Sequence, residues 1–252
     1  MPEKDALVAL QASKKYGHIN ADTIARIFNE ELQKRKSTKD AEKQTRARLH
    51  QMTGAFMLAQ RKDDALLSRY QDGDEGALFE LLRRHASTSE RLSGIEALYA
   101  HVPLDGLILD LACGLNPIYL GHLGAQVRGY DLSGDAVAIV NSWAQANGWA
   151  VEAEVCDLLN RDHYPQAELA LMMKLLPLIE QQRKGYGIEL FARIPAKKKL
   201  VTFPTRTLGG RKVGMERHYS EWFESNLPAG HDIKARFVVS DELCYLVEVM
   251  DG

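Results

Sequence analysis

Leu107-Ile108-Leu109-Asp110-Leu111-Ala112-Cys113-Gly114-Leu115-Asn116-Pro117 is the stretch that decides how this chain folds. An apolar run with an acid near its end, broken by small residues and a proline, reads as a buried strand closing in a tight loop. A carboxylate at a strand end beside a bare backbone suits a ligand with a charged or polar tail. Of the three glycines in a dinucleotide fingerprint only Gly114 is present, so the stretch alone does not name the ligand.

Working outward, apolar strands alternate with helical patterns. Strands are expected at 107–111, 126–130, 151–155, 168–173 and 199–203, and helices near 118–123, 133–147, 178–193 and 214–226. That alternation argues for a parallel sheet with helices on both faces. Two further strands, 232–239 and 243–249, are joined by Ser240-Asp241-Glu242, which is too short for a crossover and makes an antiparallel hairpin. The expected fold is α/β, a Rossmann-like sheet with an antiparallel last strand.

Acids fall at successive strand ends: Asp110, then Asp131 in Gly129-Tyr130-Asp131, then Asp157 in Val155-Cys156-Asp157. Ligands of open α/β sheets sit outside the carboxyl ends of the strands, so all three face one crevice. A strand-end Asp can simply cap the next helix, but three in succession favour a ligand. Asp131 lies 21 residues after Asp110, placed to accept both ribose hydroxyls of an adenosine cofactor, and Asp157 can accept from the adenine amine. S-adenosylmethionine is favoured over NAD, because the phosphate-cradling glycines are missing and S-adenosylmethionine has no pyrophosphate to seat.

Lys174 follows the fourth strand, in Met173-Lys174-Leu175-Leu176-Pro177. No Asn-Pro-Pro-aromatic tetrapeptide stands there and no cysteine follows a proline, which disfavours amino-directed base chemistry and covalent attack on pyrimidine C5. Lys174 either positions an anion or base edge or is a structural strand-end lysine. After the fifth strand, Phe203–Met215 is a glycine-rich loop. Between Arg193 and Arg217 the chain carries eight cations, Arg206, Arg211 and Lys212 among them, against the single acid Glu216. Such a loop at the crevice edge either grips a nucleic-acid backbone or is a solvated basic surface.

The first hundred residues have helical spacing. Leu7, Leu10 and Tyr16 mark one helix; Ile24, Ile27, Phe28 and Leu32 mark a second, capped by Asn20 or Asp22; a third starts at Ser37 or Thr38. We expect a small helical N-terminal domain over residues 1–80, connecting helices over 81–104 and the sheet domain over 105–252. The first fifty residues hold 11 cations and 7 acids. Lys14, Lys15, Arg46 and Arg48 belong to this local excess, which either tracks phosphates or solvates helix faces. In His85-Ala86-Ser87-Thr88-Ser89-Glu90-Arg91-Leu92 a Ser/Thr cap with Glu90 explains a helix start, while Arg91, on the approach to the crevice, could hold a carboxylate bidentately.

The bulk numbers set outer limits. A chain of 252 residues, 45% hydrophobic and 26% charged, can bury a large core, and a net charge of −2 confines any nucleic-acid role to local patches. Cys113, Cys156 and Cys244 lack metal-ligand spacing and read as reduced thiols, so no metal is expected. The charged start MPEKDALVAL lacks a signal-peptide core, and no run reaches the ~20 apolar residues of a membrane helix. A soluble, cytoplasmic protein is expected.

Four blocks now carry a resemblance: HASTSERL (85–92), LDLACGLNP (109–117), KLLPLIE (174–180) and FPTRTLGGRKVGM (203–215), joined by SKKY (13–16) and RARLH (46–50). Together they resemble the aminoglycoside-resistance 16S rRNA (guanine(1405)-N7)-methyltransferases over nearly the whole chain. The resemblance implies a class I methyltransferase domain binding S-adenosylmethionine behind a helical extension that docks on 16S rRNA within the 30S subunit. It further implies that Arg91 contacts the methionine carboxylate. Gly114 would underlie the methionine moiety, Asp131 the ribose, and Asp157 with Leu158 the adenine, while Asp110 and Ala112 complete the cofactor pocket, Asp110 as its architecture and not as a catalytic acid. Arg211 and Met215, with Lys174, would position the flipped guanine. Lys14, Lys15, Arg46, Arg48, Arg206, Arg211 and Lys212 would meet RNA. Guanine N7 carries a lone pair and no proton, so no general base is expected. Methylation of another RNA or a small molecule, or a non-catalytic rRNA-binding role, are the alternatives.

Overall fold

The computed structural model describes residues 2–53, 64–205 and 214–250. Three helices come first: α1 (Pro2–Gln11), α2 (Ala21–Lys34) and α3 (Thr38–Thr53). Asn20 caps α2, its side chain accepting from Thr23 N at 3.0 Å, and Ser37 accepts from Asp40 N at 3.2 Å at the head of α3. α1 stops at Gln11, so Tyr16 lies in the following turn, yet its ring is buried with Leu10, Ile19, Ile24, Ile27, Phe28, Ala41 and Leu49 in a core of their own. Four short helices follow: α4 (Asp64–Gln71), α5 (Gly76–Leu82), α6 (Ala86–Arg91) and α7 (Ile95–Tyr99). The apolar faces of α4, α5 and α7, through Leu66, Leu78, Leu81, Leu82, Ile95 and Leu98, join the core on one face of the sheet.

The sheet alternates as the sequence predicts: β1 (Leu107–Leu111), α8 (Asn116–His122), β2 (Gln126–Asp131), α9 (Gly134–Asn147), β3 (Val151–Val155) and β4 (Ala167–Met173). It continues with α10 (Leu175–Gln182), α11 (Tyr186–Arg193), β5 (Ala196–Pro204), α12 (Met215–Ser225), β6 (His231–Val239) and β7 (Glu242–Val249). The strand order is β3-β2-β1-β4-β5-β7-β6, with β1 to β5 parallel and β7 antiparallel to both neighbours. β1 and β4 lie in the middle, and their near-continuous apolar sequences suit strands covered on both faces. The β6–β7 turn is shorter than expected: Ser240 and Asp241 take it at φ 50° and 58°, and Glu242 already belongs to β7.

One expected helix is two. The 178–193 pattern divides into α10 and α11 at Gly185, which sits at φ 83°, and the Glu180 carboxylate accepts from both Gly185 N (2.8 Å) and Gly187 N (2.7 Å). The apolar periodicity runs through this break because both helices bury the same face.

Beneath α11 lies Lys199, fully buried on β5, its ammonium donating to the carbonyls of Phe191 and Ala192 and facing Nε2 of His231. Burial lowers this ammonium from its ordinary 10.5 to about 8, and burial together with Lys199 holds His231 below its usual range. Between pH 8 and 10.5 the unfolded chain therefore binds the extra proton, so this residue makes stability rise across that window. Thermal melts of Lys199→Met against pH are expected to be flatter than wild type there. Parallel curves would refute a depressed ammonium.

Among the described residues no helix is long and apolar enough to cross a membrane, and the three cysteines are free and buried.

Candidate functional site

The carboxyl ends of β1, β2 and β3 bring the three acids to one edge, because each strand pairs with its neighbour in matched parallel register. Asp110 is fully buried; Oδ2 accepts from Asn116 Nδ2 at 2.6 Å, and Asn116 Oδ1 accepts from the buried Tyr99 hydroxyl at 2.8 Å. Oδ1 of Asp110 is buried with no partner. Burial pushes this carboxyl up to about 7, against the opposing pull of Asn116 and Arg91.

The loop after β1 crosses over the crevice at Ala112 (φ 57°) and Gly114 (φ 52°). A Cβ on Gly114 would meet the His85 ring, with Nδ1 at 2.7 Å, so glycine is needed both for the left-handed backbone and for room. His85 is itself buried, its Nδ1 at 3.1 Å from Thr88 Oγ1, and burial lowers its pKa against the raising influence of Asp131. Asp131 ties two loops together: Oδ2 accepts from Gly114 N at 2.8 Å and Oδ1 from Ser133 N at 2.8 Å.

Asp157 is held from the helical domain as well as from its own loop. Oδ2 accepts from Thr23 Oγ1 at 2.9 Å and from Arg26 Nε at 3.1 Å, both on α2, and Oδ1 accepts from Leu159 N at 3.0 Å. Leu158 beside it is buried.

Arg91, at the end of α6, is buried and paired with Glu242, Nε to Oε1 at 3.1 Å and Nη2 to Oε2 at 3.4 Å. Glu242 also accepts from Thr202 Oγ1 at 2.5 Å and lies 3.2 Å from Lys174 Nζ. Lys174 sits at the end of β4 with φ 54°, its ammonium donating to Glu90 at 2.7 Å. Ala112 and Lys174 are non-glycine residues in left-handed backbone at neighbouring strand ends, strain of the kind that collects at functional sites.

The structure thus brings Arg91, Asp110, Ala112, Gly114, Asp131 and Lys174 to one edge of the sheet, with Asp157 and Leu158 on the adjoining strand end. Met215 is the half-buried first residue of α12. Arg206, Arg211 and Lys212 lie outside the described residues. On the helical domain Lys14 and Lys15 are exposed. Arg46 pairs with Glu42 at 2.8 Å, and Arg48 joins α3 to α2 through Glu30 (2.8 Å) and Glu31 (2.9 Å). No cluster of metal-ligating side chains occurs among the described residues. Sequence reading missed Glu242, Thr202, Asn116 and the α2 pair Thr23 and Arg26.

A seven-stranded sheet in this order, with β7 antiparallel and acids closing its first three strands, is the class I methyltransferase architecture. Residues 12–246 match the model of the ribosomal RNA methyltransferase (FmrO) family, and the chain belongs to that family. It is 36% identical over 248 residues to a 16S rRNA (guanine(1405)-N(7))-methyltransferase of Serratia marcescens, covering 97% of both chains. Among solved structures it resembles the 16S rRNA methyltransferase RmtF in complex with S-adenosyl-L-homocysteine. The two superpose with a TM-score of 0.92 at 48% identity, over 99% of this chain and 98% of that one. The 16S rRNA methylase RmtB superposes with a TM-score of 0.85 at 33% identity over 98% of each.

Proposed function

We propose that this protein transfers a methyl group from S-adenosyl-L-methionine to N7 of a guanine in the decoding region of 16S rRNA within the 30S subunit, in the cytoplasm, and so gives resistance to 4,6-disubstituted deoxystreptamine aminoglycosides. The observation that carries this reading is the edge itself: three carboxylates at successive strand ends, with the buried Arg91 guanidinium paired to Glu242 at the same edge. The acids offer acceptors to an ammonium, two ribose hydroxyls and an adenine amine, and Arg91 offers donors to a carboxylate. The orphaned Oδ1 of Asp110 fits a cationic ligand, which would draw a carboxyl poised near 7 into its ionised form. RmtF binds S-adenosyl-L-homocysteine, the demethylated form of the same cofactor, on a fold that superposes on this one.

When bound, the cofactor supplies an electrophilic methyl on a sulfonium. The protein's own residues then have three tasks. Asp131, Asp157 and Leu158 hold the adenosine, and Arg91, Gly114, Ala112 and Asp110 the amino-acid end. Lys174, Met215 and Arg211 fix the target guanine after it leaves its stack. Lys14, Lys15, Arg46, Arg48, Arg206, Arg211 and Lys212 engage the rRNA backbone, the docking unit of residues 1–80 being built on the α1–α3 core, with α4 and the start of α5 packed on the sheet. Guanine N7 has no proton to lose, so the site needs in-line alignment and no base. The acids and cations at this edge supply that alignment, and none is required to take a proton.

Incubating 30S subunits with the protein and labelled cofactor should place one methyl on N7 of one decoding-region guanine, with naked 16S rRNA run separately as the comparison. Cells expressing the protein should grow in kanamycin and gentamicin. Full susceptibility at high expression, or label on another atom, would refute the assignment.

A further inference from the structure

The helical domain is seated on the two loops that would hold adenosine. After β2, Asn20 N donates to Leu132 O at 2.9 Å, Gly134 N donates to His18 O at 2.6 Å, and Ile19 pairs with Ser133. The approach is so close that a Cβ on Gly134 would lie 2.9 Å from His18 O. Leu132 adds its side chain to the helical domain's core. After β3, Thr23 and Arg26 converge on Oδ2 of Asp157, and Arg26 Nη2 also reaches Gln182 on α10 at 3.1 Å. Thr23 is fully buried and Asp157 is 7% exposed.

These contacts fix a carboxylate that could otherwise turn about its own side chain. Oδ2 is filled by the Thr23 hydroxyl and the Arg26 guanidinium, and one lone pair of Oδ1 is taken by Leu159 N. One lone pair of Oδ1 is then left over, which makes Asp157 a directional acceptor. We propose that Thr23 and Arg26 are positioning residues of the adenine subsite: they lock Asp157 so that Oδ1 meets the exocyclic amine, and they make the helical domain a structural part of the cofactor pocket. The inference rests on the adenine role of Asp157 proposed above.

The test compares S-adenosylhomocysteine with S-inosylhomocysteine, in which a carbonyl replaces the amine, by calorimetry on the full chain. Wild type should prefer the adenine form by about tenfold or more, since a carbonyl facing Oδ1 leaves two acceptors opposed. Thr23→Val with Arg26→Gln should reduce that preference to about twofold, mostly by weakening the adenine form, and adding Asp157→Asn should change little further. Thr23→Val alone, which removes one hydroxyl and little volume, should show a smaller loss, and Thr23→Ser should restore the preference. A purely structural contact would instead lower thermal stability and weaken both ligands equally, and that result overturns the proposal. So does full preference in the clamp variants, with the adenine reading left standing. If wild type itself shows no preference, the adenine reading of Asp157 fails and the proposal falls with it.

Discussion

Asp131→Ala is expected to weaken S-adenosylhomocysteine binding by at least about a hundredfold and to abolish growth in gentamicin, with the folded state retained. A hydrogen bond to a charged acceptor contributes about 1.5–3 kcal/mol, so two ribose hydroxyls on one carboxylate correspond to roughly two to four decades of affinity. The substitution also frees Gly114 N and Ser133 N, loosening the loops that frame the crevice from both sides. Asp131 is only half-buried and closes no apolar core, so melting should change by a few degrees at most. Asp131→Asn keeps one acceptor oxygen and should fall between the two. Calorimetry with growth assays decides it, and a dissociation constant within threefold of wild type would remove Asp131 from the ribose role.

How much of this site could be read before the structure depended on how local its signals are. Strand ends announce themselves, because the apolar period stops where the acid appears: Asp110, Asp131 and Asp157 follow directly, and so does the parallel order they imply. Glu242 is a harder case, since nothing in Ser240-Asp241-Glu242-Leu243 marks it beyond a turn. Its place follows from topology: β7 is antiparallel, so it begins where β5 ends, and its first residue pairs with Pro204 at the crevice edge. A reader who accepted the hairpin could have placed an acid there, though not its pairing with Arg91, which spans 151 residues. Thr23 and Arg26 carry even less local signal. Thr23 follows a good N-cap and Arg26 lies on a helix with a matching Glu30, so each has a sufficient explanation within α2. Their contact with Asp157 depends on how one domain seats on another, which helical periodicity does not encode. Gly185 starts α11, three residues after α10 ends, by a conformation that periodicity also overlooks, since the apolar face continues across it.

Arg91 and Glu242 offer the sharpest separation between architecture and binding. Their side chains are 3% and 2% exposed, so breaking the pair leaves Arg91 as a buried charge without its carboxylate, or Glu242 with only the Lys174 ammonium at 3.2 Å. Arg91→Met is expected to cost about 3–5 kcal/mol of stability, the usual penalty for breaking a buried pair, which for a chain of this size lowers the melting temperature by roughly 6–20 °C. Removing both charges, Arg91→Met with Glu242→Met, should recover most of that loss, because apolar replacements of a whole buried pair are often close to neutral. Recovery should stay incomplete: the Thr202 hydroxyl loses its acceptor, while Lys174 keeps Glu90. Cofactor binding follows a different course. If Arg91 holds the methionine carboxylate, the double variant regains stability without regaining affinity for S-adenosylhomocysteine, whereas its affinity for adenosine, which has no carboxylate, stays within a few fold of wild type. A double variant that binds S-adenosylhomocysteine as wild type does would show that the guanidinium serves the fold alone, and the carboxylate would need another donor at this edge, with Lys174 the nearest cation to Glu242 after Arg91.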